Sequence, residues 1–572
     1  MAKLKLDTTL AEYEKRPWIK WYPEGVPADI EIPEKSIPEM IDEAVKKWGN
    51  KTALYFYGSK MKHKEIHELS LRFATALHDL GVKKGDMVAI LLPNCPQFPI
   101  AYYAILRLGA TATTISPLYT PREIAHQLKD SGAKIIIVLD LLYENVERIW
   151  DEVGLKYAIV TSIAKYMGGR GRFFSRARGK TLQAEISTRS EVLQFQDLNK
   201  KYPPNPPKVE ISPDDLAALP YTGGTTGWPK GAMLTHRNIV SVQEQVWHAW
   251  PGLEEGKEVG LAILPFYHIY GQSIILLGGA LRGGSGVVFP RPDMDEIIDS
   301  IEKYGITMFY GVPTLYKYLA DHPKIKRVNL KKVKHFVCGA DTLHEETRRD
   351  WERETGREIM EGYGLTETTA VISTNPLTRN RPGTLGVPLP NTYVAIAHME
   401  KNEFLPPGEE GELVVSGPQV LQGYWKKPEA NKNSFFEAGG RRYFRTGDVA
   451  WMDEEGYFHF VERTKDVIKY KGLQVFPHEI EDILYHHPKI KEAAVIGVPD
   501  KDVGERVKAL VVLEREYRGK VTEKEIIKYC EDKLAHYKIP KIIEFRGEIP
   551  KTDVMKVDHK RLRAEIFKLE EK

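Results

Sequence analysis

The sequence predicts an α/β protein whose parallel sheets are covered by helices, and three observations carry that prediction. Short, nearly continuous apolar runs recur along the chain: MVAILLP at 87–93, AKIIIVLD at 133–140, GVVFP at 286–290, TMFYGVP at 307–313 and KHFVCGA at 334–340. Each is bounded by Gly, Pro or charge, the pattern of a strand buried on both faces. Helix-like segments lie between them, such as ELSLRFATALHDLGVKKGD, where apolar residues recur at three-to-four spacing and Gly81 marks the stop. The chain has 572 residues, which at roughly 100–200 per domain means several domains or one multi-lobed body. Strand–helix–strand units of these lengths pair their strands in parallel.

The pattern changes further along. After residue 383 the stretches GTLGVPLPNTYVAIAH and GEEGELVVSG alternate over short distances, as in an antiparallel or barrel-like element. Residues 202–213, YPPNPPKVEISP, are proline-rich and should form an extended connector. At 462–471, ERTKDVIKYK, dense charge separates the GYFHFV strand from a tail that reads strand, helix, strand and then helix at EKEIIKYCEDKLA. That tail is long enough for a small α+β domain of its own. No repeat of 20–50 residues is evident.

Composition narrows the function classes. A hydrophobic fraction of 42% with 28% charged residues excludes wholesale disorder, and a net charge of +3 argues against a dedicated nucleic-acid binder. Cys95, Cys338 and Cys530 are too few and scattered for a disulfide framework or zinc cluster, so a reducing, cytoplasmic setting is expected. The start, MAKLKLDTTLAEYEKRPW, carries acidic residues and no apolar h-region, so it does not read as a secretory signal. The most apolar run, 98–115, is broken by Arg107 and is too short to span a bilayer. From Arg463 onward there are 25 basic and 21 acidic residues, against 57 and 58 in the rest, so the positive excess sits in the tail.

The densest chemical signal is YTGGTTGWPKG at 221–231. Glycines and small hydroxyl residues let backbone N–H groups approach an anion closely, and Lys230 adds charge. It is not a Walker A loop, because Trp228 and Pro229 separate Gly227 from Lys230 and no Ser or Thr follows the lysine. The segment resembles the phosphate-binding signature of the adenylate-forming superfamily. YGLTET at 363–368, YFRTGD at 443–448, ERTKD at 462–466 and KTDVMK at 551–556 follow in the order and spacing of that family. Among its members, the opening KRPW and WYP at 15–23 are similar to long-chain fatty acyl-CoA synthetases.

The resemblance implies a large N-terminal domain, 1–464, of two parallel-sheet α/β subdomains plus a small β-barrel-like subdomain. A hinge at Lys465 would join it to a small α+β C-terminal domain, 465–572. The implied reaction consumes ATP, Mg²⁺ and a fatty acid, gives acyl-AMP and pyrophosphate, and then passes the acyl group to coenzyme A. Thr222, Gly223, Gly224, Thr225, Thr226, Gly227 and Lys230 would hold phosphates, while Gly339, Tyr363 and Gly364 flank the adenine. Thr366 would contact the α-phosphate, Glu367 the Mg²⁺, and Asp448 with Arg463 the ribose. Lys556 would stabilise charge that develops in adenylation. The family usually has Ser-Gly before this lysine, whereas here Val554 and Met555 stand there, which predicts a loop of another shape.

His236, His268 and Gly311 are implied at the acyl pocket, and Lys469, Lys471, Gly472 and Gln474 at the CoA path. Residues 165–180 hold six Lys/Arg, no acid, and Phe173 with Phe174, a composition that can rest on anionic lipid or form an exposed loop. A homodimer is compatible with the resemblance. Two other readings share the motifs: a medium-chain or aryl (4-coumarate-like) CoA ligase, and a nucleotide-binding protein that has lost activity.

Overall fold

The computed structural model describes residues 9–169, 186, 189–222, 228–291, 293–471, 473–501, 503–531, 533–552 and 556–570. Two nine-stranded sheets form the body. In one, strands Leu216–Ala218, Thr111–Thr114, Met87–Leu91, Ile135–Leu139, Tyr157–Thr161 and Val192–Gln194 run parallel, and Lys230–Thr235 and Gly423–Tyr424 close the edge antiparallel. The other centres on parallel strands Val259–Ala262, Ser285–Val288, Met308–Gly311, His335–Cys338 and Met360–Tyr363. The predicted runs therefore become strands within a few residues. Ile135–Leu139 is buried at all five positions, which is why it reads as continuous rather than alternating.

Strand Thr52–Phe56 joins the second sheet beside Ser285–Val288, far away in sequence. Nothing local announces this partner; tertiary packing such as Tyr55 on Tyr304, centroids 4.7 Å apart, selects it. The helix His63–Asp79 covers the expected helical segment and stops at Leu80, with Gly81 at φ 94°. Arg107 ends the helix Gln97–Arg107, whose other residues are all buried, and both of its terminal nitrogens bind Asp42, at 2.8 and 2.6 Å. That pair explains the charge inside an apolar run. Among the described residues, no helix is long and apolar enough to cross a membrane.

The connector at 202–213 is extended, pinned by Arg72 Nη1 on the Tyr202 carbonyl (3.1 Å) and Lys84 Nζ on that of Glu210 (2.9 Å). Strands Tyr393–Ala397, Gly411–Ser416, Phe435–Ala438, Arg441–Met452 and Phe458–Arg463 make a five-stranded antiparallel sheet, as the alternation after residue 383 predicts. The tail has its own sheet, with Ile490–Asp500 and Gly504–Leu513 as a long antiparallel pair and Ile542–Phe545 parallel to the latter. Ile480, Leu484, Val495, Ala509, Ile526 and Cys530 form its separate core.

Candidate active site

A cavity of about 1150 Å³ opens where the two large sheets, the antiparallel sheet and the tail domain meet. That exceeds a typical ligand pocket of about 300–1000 Å³ and leaves room for two substrates.

The first wall is built from the edge of one large sheet. Tyr221–Thr222 pairs antiparallel with Lys230–Thr235, Thr222 opposite Lys230, which brings the two ends of the Gly-rich segment side by side. Residues 223–227, which include Gly223, Gly224, Thr225, Thr226 and Gly227, lie outside the described residues. The stems are braced by the helix Pro121–Ser131, whose start is fixed by a Thr120–Glu123 capping box. Its Asp130 accepts from Tyr221 Oη (2.8 Å) and Lys427 Nζ (2.7 Å), and its His126 stacks on Trp228 with centroids 4.4 Å apart. Strand Gly423–Tyr424 pairs with the same stem, Ala232 opposite Tyr424. Lys230 Nζ then sits 4.5 Å from the Tyr424 ring centre, and Tyr424 Oη donates to Glu367 Oε1 at 2.8 Å.

The second wall is the turn 363–370. A Cβ on Gly364 would come within 2.1 Å of the Ala370 carbonyl oxygen, so only glycine lets the segment fold back. Thr369 and Ala370 adopt φ of 53° and 91°, and Ala340, across the cavity, 75°. Non-glycine residues in that region cost of order 1–3 kcal/mol each and persist where surroundings over-determine them, commonly at functional sites. Thr366 and Glu367 line the cavity from the short helix Thr366–Thr368, and Gly339 lines it with Ala340.

Tyr363 Oη donates to Asp448 Oδ2 at 2.6 Å, and Arg463 Nε lies 3.6 Å from Asp448 Oδ1. Strand register places the last two together, Asp448 opposite Arg463. Burial, with the Asp448 charge beside it, pushes the Tyr363 phenol far up, so it stays a neutral donor. His268 Nδ1 accepts from the Tyr270 N–H at 3.3 Å, which leaves the proton on Nε2. Burial first, and the nearby Lys556 ammonium second, pull this imidazole down to about 3. His268 is therefore a neutral donor near neutral pH, not a base awaiting a proton.

Lys556 comes from the tail domain and lines the same cavity. The Thr552 N–H donates to its carbonyl (2.7 Å), its own N–H to Thr552 Oγ1 (3.2 Å), and Lys551 bridges to Val557. Val554 and Met555 lie outside the described residues. Lys465 and Arg463 line the cavity at the joint, where Asp466 pairs with Arg563 of the last helix.

Several expected residues stand elsewhere. His236 is fully buried away from the cavity, and its Nδ1 accepts from the Ile37 N–H at 3.2 Å. Its ring therefore holds the start of the helix Ile37–Trp48 and is not among the residues that line this cavity. Gly311 is also outside the lining, and a Cβ there would meet the Tyr316 ring at 2.7 Å, so its smallness serves packing. Lys469 and Lys471 sit on the hairpin of Ile468–Tyr470 and Leu473–Val475, away from the cavity in this arrangement; Lys471 has φ 47°. Gly472 and the Gln474 side chain lie outside what is described, as do residues 170–180 of the basic segment. Cys338 lines the cavity, and burial pushes its thiol well up, while Cys95 rises to about 12, so neither is a thiolate nucleophile.

The sequence reading missed Tyr424 and Glu361. Tyr424 carries no motif of its own, since strand pairing alone brings it under Lys230. Glu361 accepts from the Gly383 N–H (2.8 Å), and burial pushes its carboxyl up to about 7. A folded-state value above the ordinary 4.5 means its stabilising share is complete below that value and lost as pH rises toward 7. Glu361→Gln should therefore match the wild-type Tm near pH 4.5 and exceed it increasingly up to about pH 7.5. A Tm difference that is constant over that range would contradict this.

Glu367 suits a magnesium ion: a single carboxylate with one oxygen held by a neutral phenol, beside space for phosphate oxygens that would complete the shell. Among the described residues, no cluster of three or more His, Cys, Asp or Glu could hold a metal without a substrate's help.

Comparison with known proteins agrees with this geometry. Residues 41–425 match the model of the AMP-binding enzyme family, and residues 479–556 that of the AMP-binding enzyme C-terminal domain. The long-chain-fatty-acid–CoA ligase of Bacillus subtilis is 36% identical over 555 residues, covering 96% of this chain and 98% of that protein. ATP-bound MatB from Rhodopseudomonas palustris superposes with a TM-score of 0.81 at 28% identity, covering 94% of this chain and 100% of that one. The apo form of the same protein, at the same identity and coverage, scores 0.71. Paired stems flanking a glycine-rich segment, a strained turn carrying Glu367, a Tyr363–Asp448–Arg463 cluster on the cavity wall and a two-part family match leave one conclusion: the chain belongs to the AMP-binding enzyme family.

Proposed function

We propose that the protein is a fatty acid–CoA ligase working in two half-reactions. A fatty carboxylate oxygen attacks the α-phosphorus of ATP, forming the acyl–phosphate bond as the bond to pyrophosphate breaks. The CoA thiol then loses its proton and attacks the acyl carbonyl, and AMP leaves. The observation that carries the reading is the convergence of Lys230, Glu367, Asp448 and Lys556, four residues from four distant segments, on one cavity. The name of the Bacillus subtilis relative supports the fatty acyl choice.

In this reading the Tyr363 ring stacks on adenine and the Asp448 carboxylate accepts from ribose hydroxyls, with the Tyr363 hydroxyl already orienting it. Thr222 and Lys230 hold phosphate at the hairpin stem, and Thr366 faces the α-phosphate. His268, neutral, donates from Nε2 to the acyl carboxylate and holds it in line. Lys556 lends positive charge where it builds up on the phosphates. Magnesium held through Glu367 would offset phosphate charge when bound with the nucleotide.

The tail domain then swings about Lys465, which we take as the boundary between 1–464 and 465–572. Lys469, Lys471, Gly472 and Gln474 would next face the large domain and line the CoA path. The positive excess of the tail suits its polyanionic substrates. Contact of residues 165–180 with a membrane surface belongs to the same reading.

A panel of acids from C2 to C18, with cinnamate, assayed for CoA-dependent AMP release, tests it. Greatest kcat/KM among C12–C18 acids is expected; cinnamate or a short acid exceeding them would overturn the long-chain assignment.

A further inference from the structure

His344 belongs to the large domain and caps the helix Glu345–Thr355, yet its ring lies on the small domain. It stacks on Tyr485, with centroids 4.0 Å apart and planes at 28°, and on His478 at 5.6 Å and 13°. Its Nδ1 is 3.2 Å from Asp482 Oδ1. Residues 478, 482 and 485 all belong to the helix Pro477–Tyr485, spaced i, i+4 and i+7, so they share one face. One ring of the large domain thus occupies a slot formed by one face of a small-domain helix.

The surroundings make the fit directional. The His478 ring meets Phe460 edge-on at 6.0 Å, and the His478 N–H donates to Glu462 Oε2 at 2.9 Å. At the rim His486 Nε2 lies 3.6 Å from Glu345 Oε2. Two stacking partners fix the plane of the ring and Asp482 fixes its rotation. All three belong to the small domain, so any swing of that domain breaks the three contacts together. The same docked arrangement brings Lys556 close enough for its charge to act on His268. It also superposes on the ATP-bound form of MatB better than on the apo form.

We propose that His344 is a positioning residue, a pin that seats in the slot of His478, Asp482 and Tyr485 and holds the small domain where Lys556 faces the acyl–phosphate centre. His344 and its three partners stand on the wall of the same cavity, but the pin acts through the placement of Lys556 and not on the reacting atoms; it sets the fraction of molecules closed for adenylation. The inference rests on the two-step reading above. Its sign is asymmetric: removing the pin slows adenylation and leaves the thioester step, made with the small domain turned away, unaffected or faster. Losing two ring contacts and one polar contact corresponds to about tenfold in the closed-to-open ratio.

The test compares His344→Ala, His344→Phe and Tyr485→Ala in single turnover. One arm measures acyl-AMP formed from ATP and palmitate, the other acyl-CoA formed from supplied palmitoyl-AMP and CoA. Expected is a loss of about tenfold in the first arm for both alanine variants, with the second arm kept, which also shows that they fold. His344→Phe keeps the stack and should lie within about threefold of wild type. Equal losses in both arms, no loss in either, or a phenylalanine variant as slow as alanine would overturn the pin.

A second readout needs no substrate. The cysteines Cys95, Cys338 and Cys530 are buried, so nitroxides can be placed at Arg349→Cys and Lys524→Cys, both exposed, one on each domain. Pulsed dipolar spectroscopy should give one dominant distance, broadened by His344→Ala; an unchanged distribution would overturn the proposal. If the wild type makes no acyl-AMP with any acid supplied, the two-step reading fails, while the spin-label distances still decide the pin.

Discussion

Lys556→Ala should slow acyl-AMP formation about 100-fold or more, while acyl-CoA formation from supplied acyl-AMP falls by no more than severalfold. The reason is where charge builds up. As the acyl oxygen approaches the α-phosphorus, negative charge grows on the phosphate and on departing pyrophosphate. A preorganised ammonium in an enclosed cavity then stabilises the transition state more than the ground state. The structure gives that ammonium a defined origin: the Thr552 pair of hydrogen bonds fixes the backbone at Lys556, and its charge is felt by His268 across the cavity. In the second half-reaction the leaving group is AMP, and in the proposed two-step scheme the small domain has turned, which would leave the same lysine remote. Single-turnover rates for the two steps check this. Equal losses in both would remove the assigned role, whatever the total activity.

Glu367→Gln should cost about as much in adenylation and, in addition, raise the magnesium concentration needed for half-maximal rate by tenfold or more. Glu367 is buried, with one oxygen accepting from Tyr424 Oη at 2.8 Å, and in the proposed reading its other oxygen would meet the cation. An amide keeps the shape and removes the charge, so packing should survive, and an unchanged Tm separates the two effects. Tyr424→Phe offers a graded control: it leaves the carboxylate but frees its orientation, and a loss of less than tenfold is expected. If magnesium titrations of Glu367→Gln and wild type overlay, the carboxylate is not the cation's protein anchor.

Much of this was legible in the chain because strands buried on both faces and glycine-rich turns leave local signatures. The runs at 87–93, 133–140, 286–290, 307–313 and 334–340 all became strands, and the alternation after residue 383 became the antiparallel sheet. The motif residues Thr222, Lys230, Thr366, Glu367, Asp448, Arg463 and Lys556 meet in one cavity. What the chain concealed depends on long-range placement. Thr52–Phe56 joins a sheet formed some 200 residues later, Tyr424 reaches Glu367 only through strand pairing, and His344 finds its slot only when two domains dock. His236 shows the opposite case. A histidine at the end of a motif suggests chemistry, yet the start of a helix claims its Nδ1 and the ring never reaches the cavity.

The central claim is that one cavity first makes a fatty acyl adenylate and then yields it to CoA. The most direct measurement is mass spectrometry of quenched single turnovers with enzyme in excess over palmitate, in the presence of ATP and magnesium. Without CoA, palmitoyl-AMP should accumulate with an equal amount of pyrophosphate; on adding CoA it should convert to palmitoyl-CoA and AMP. Formation of ADP with acyl phosphate, or pyrophosphate release that is independent of palmitate, would contradict the account.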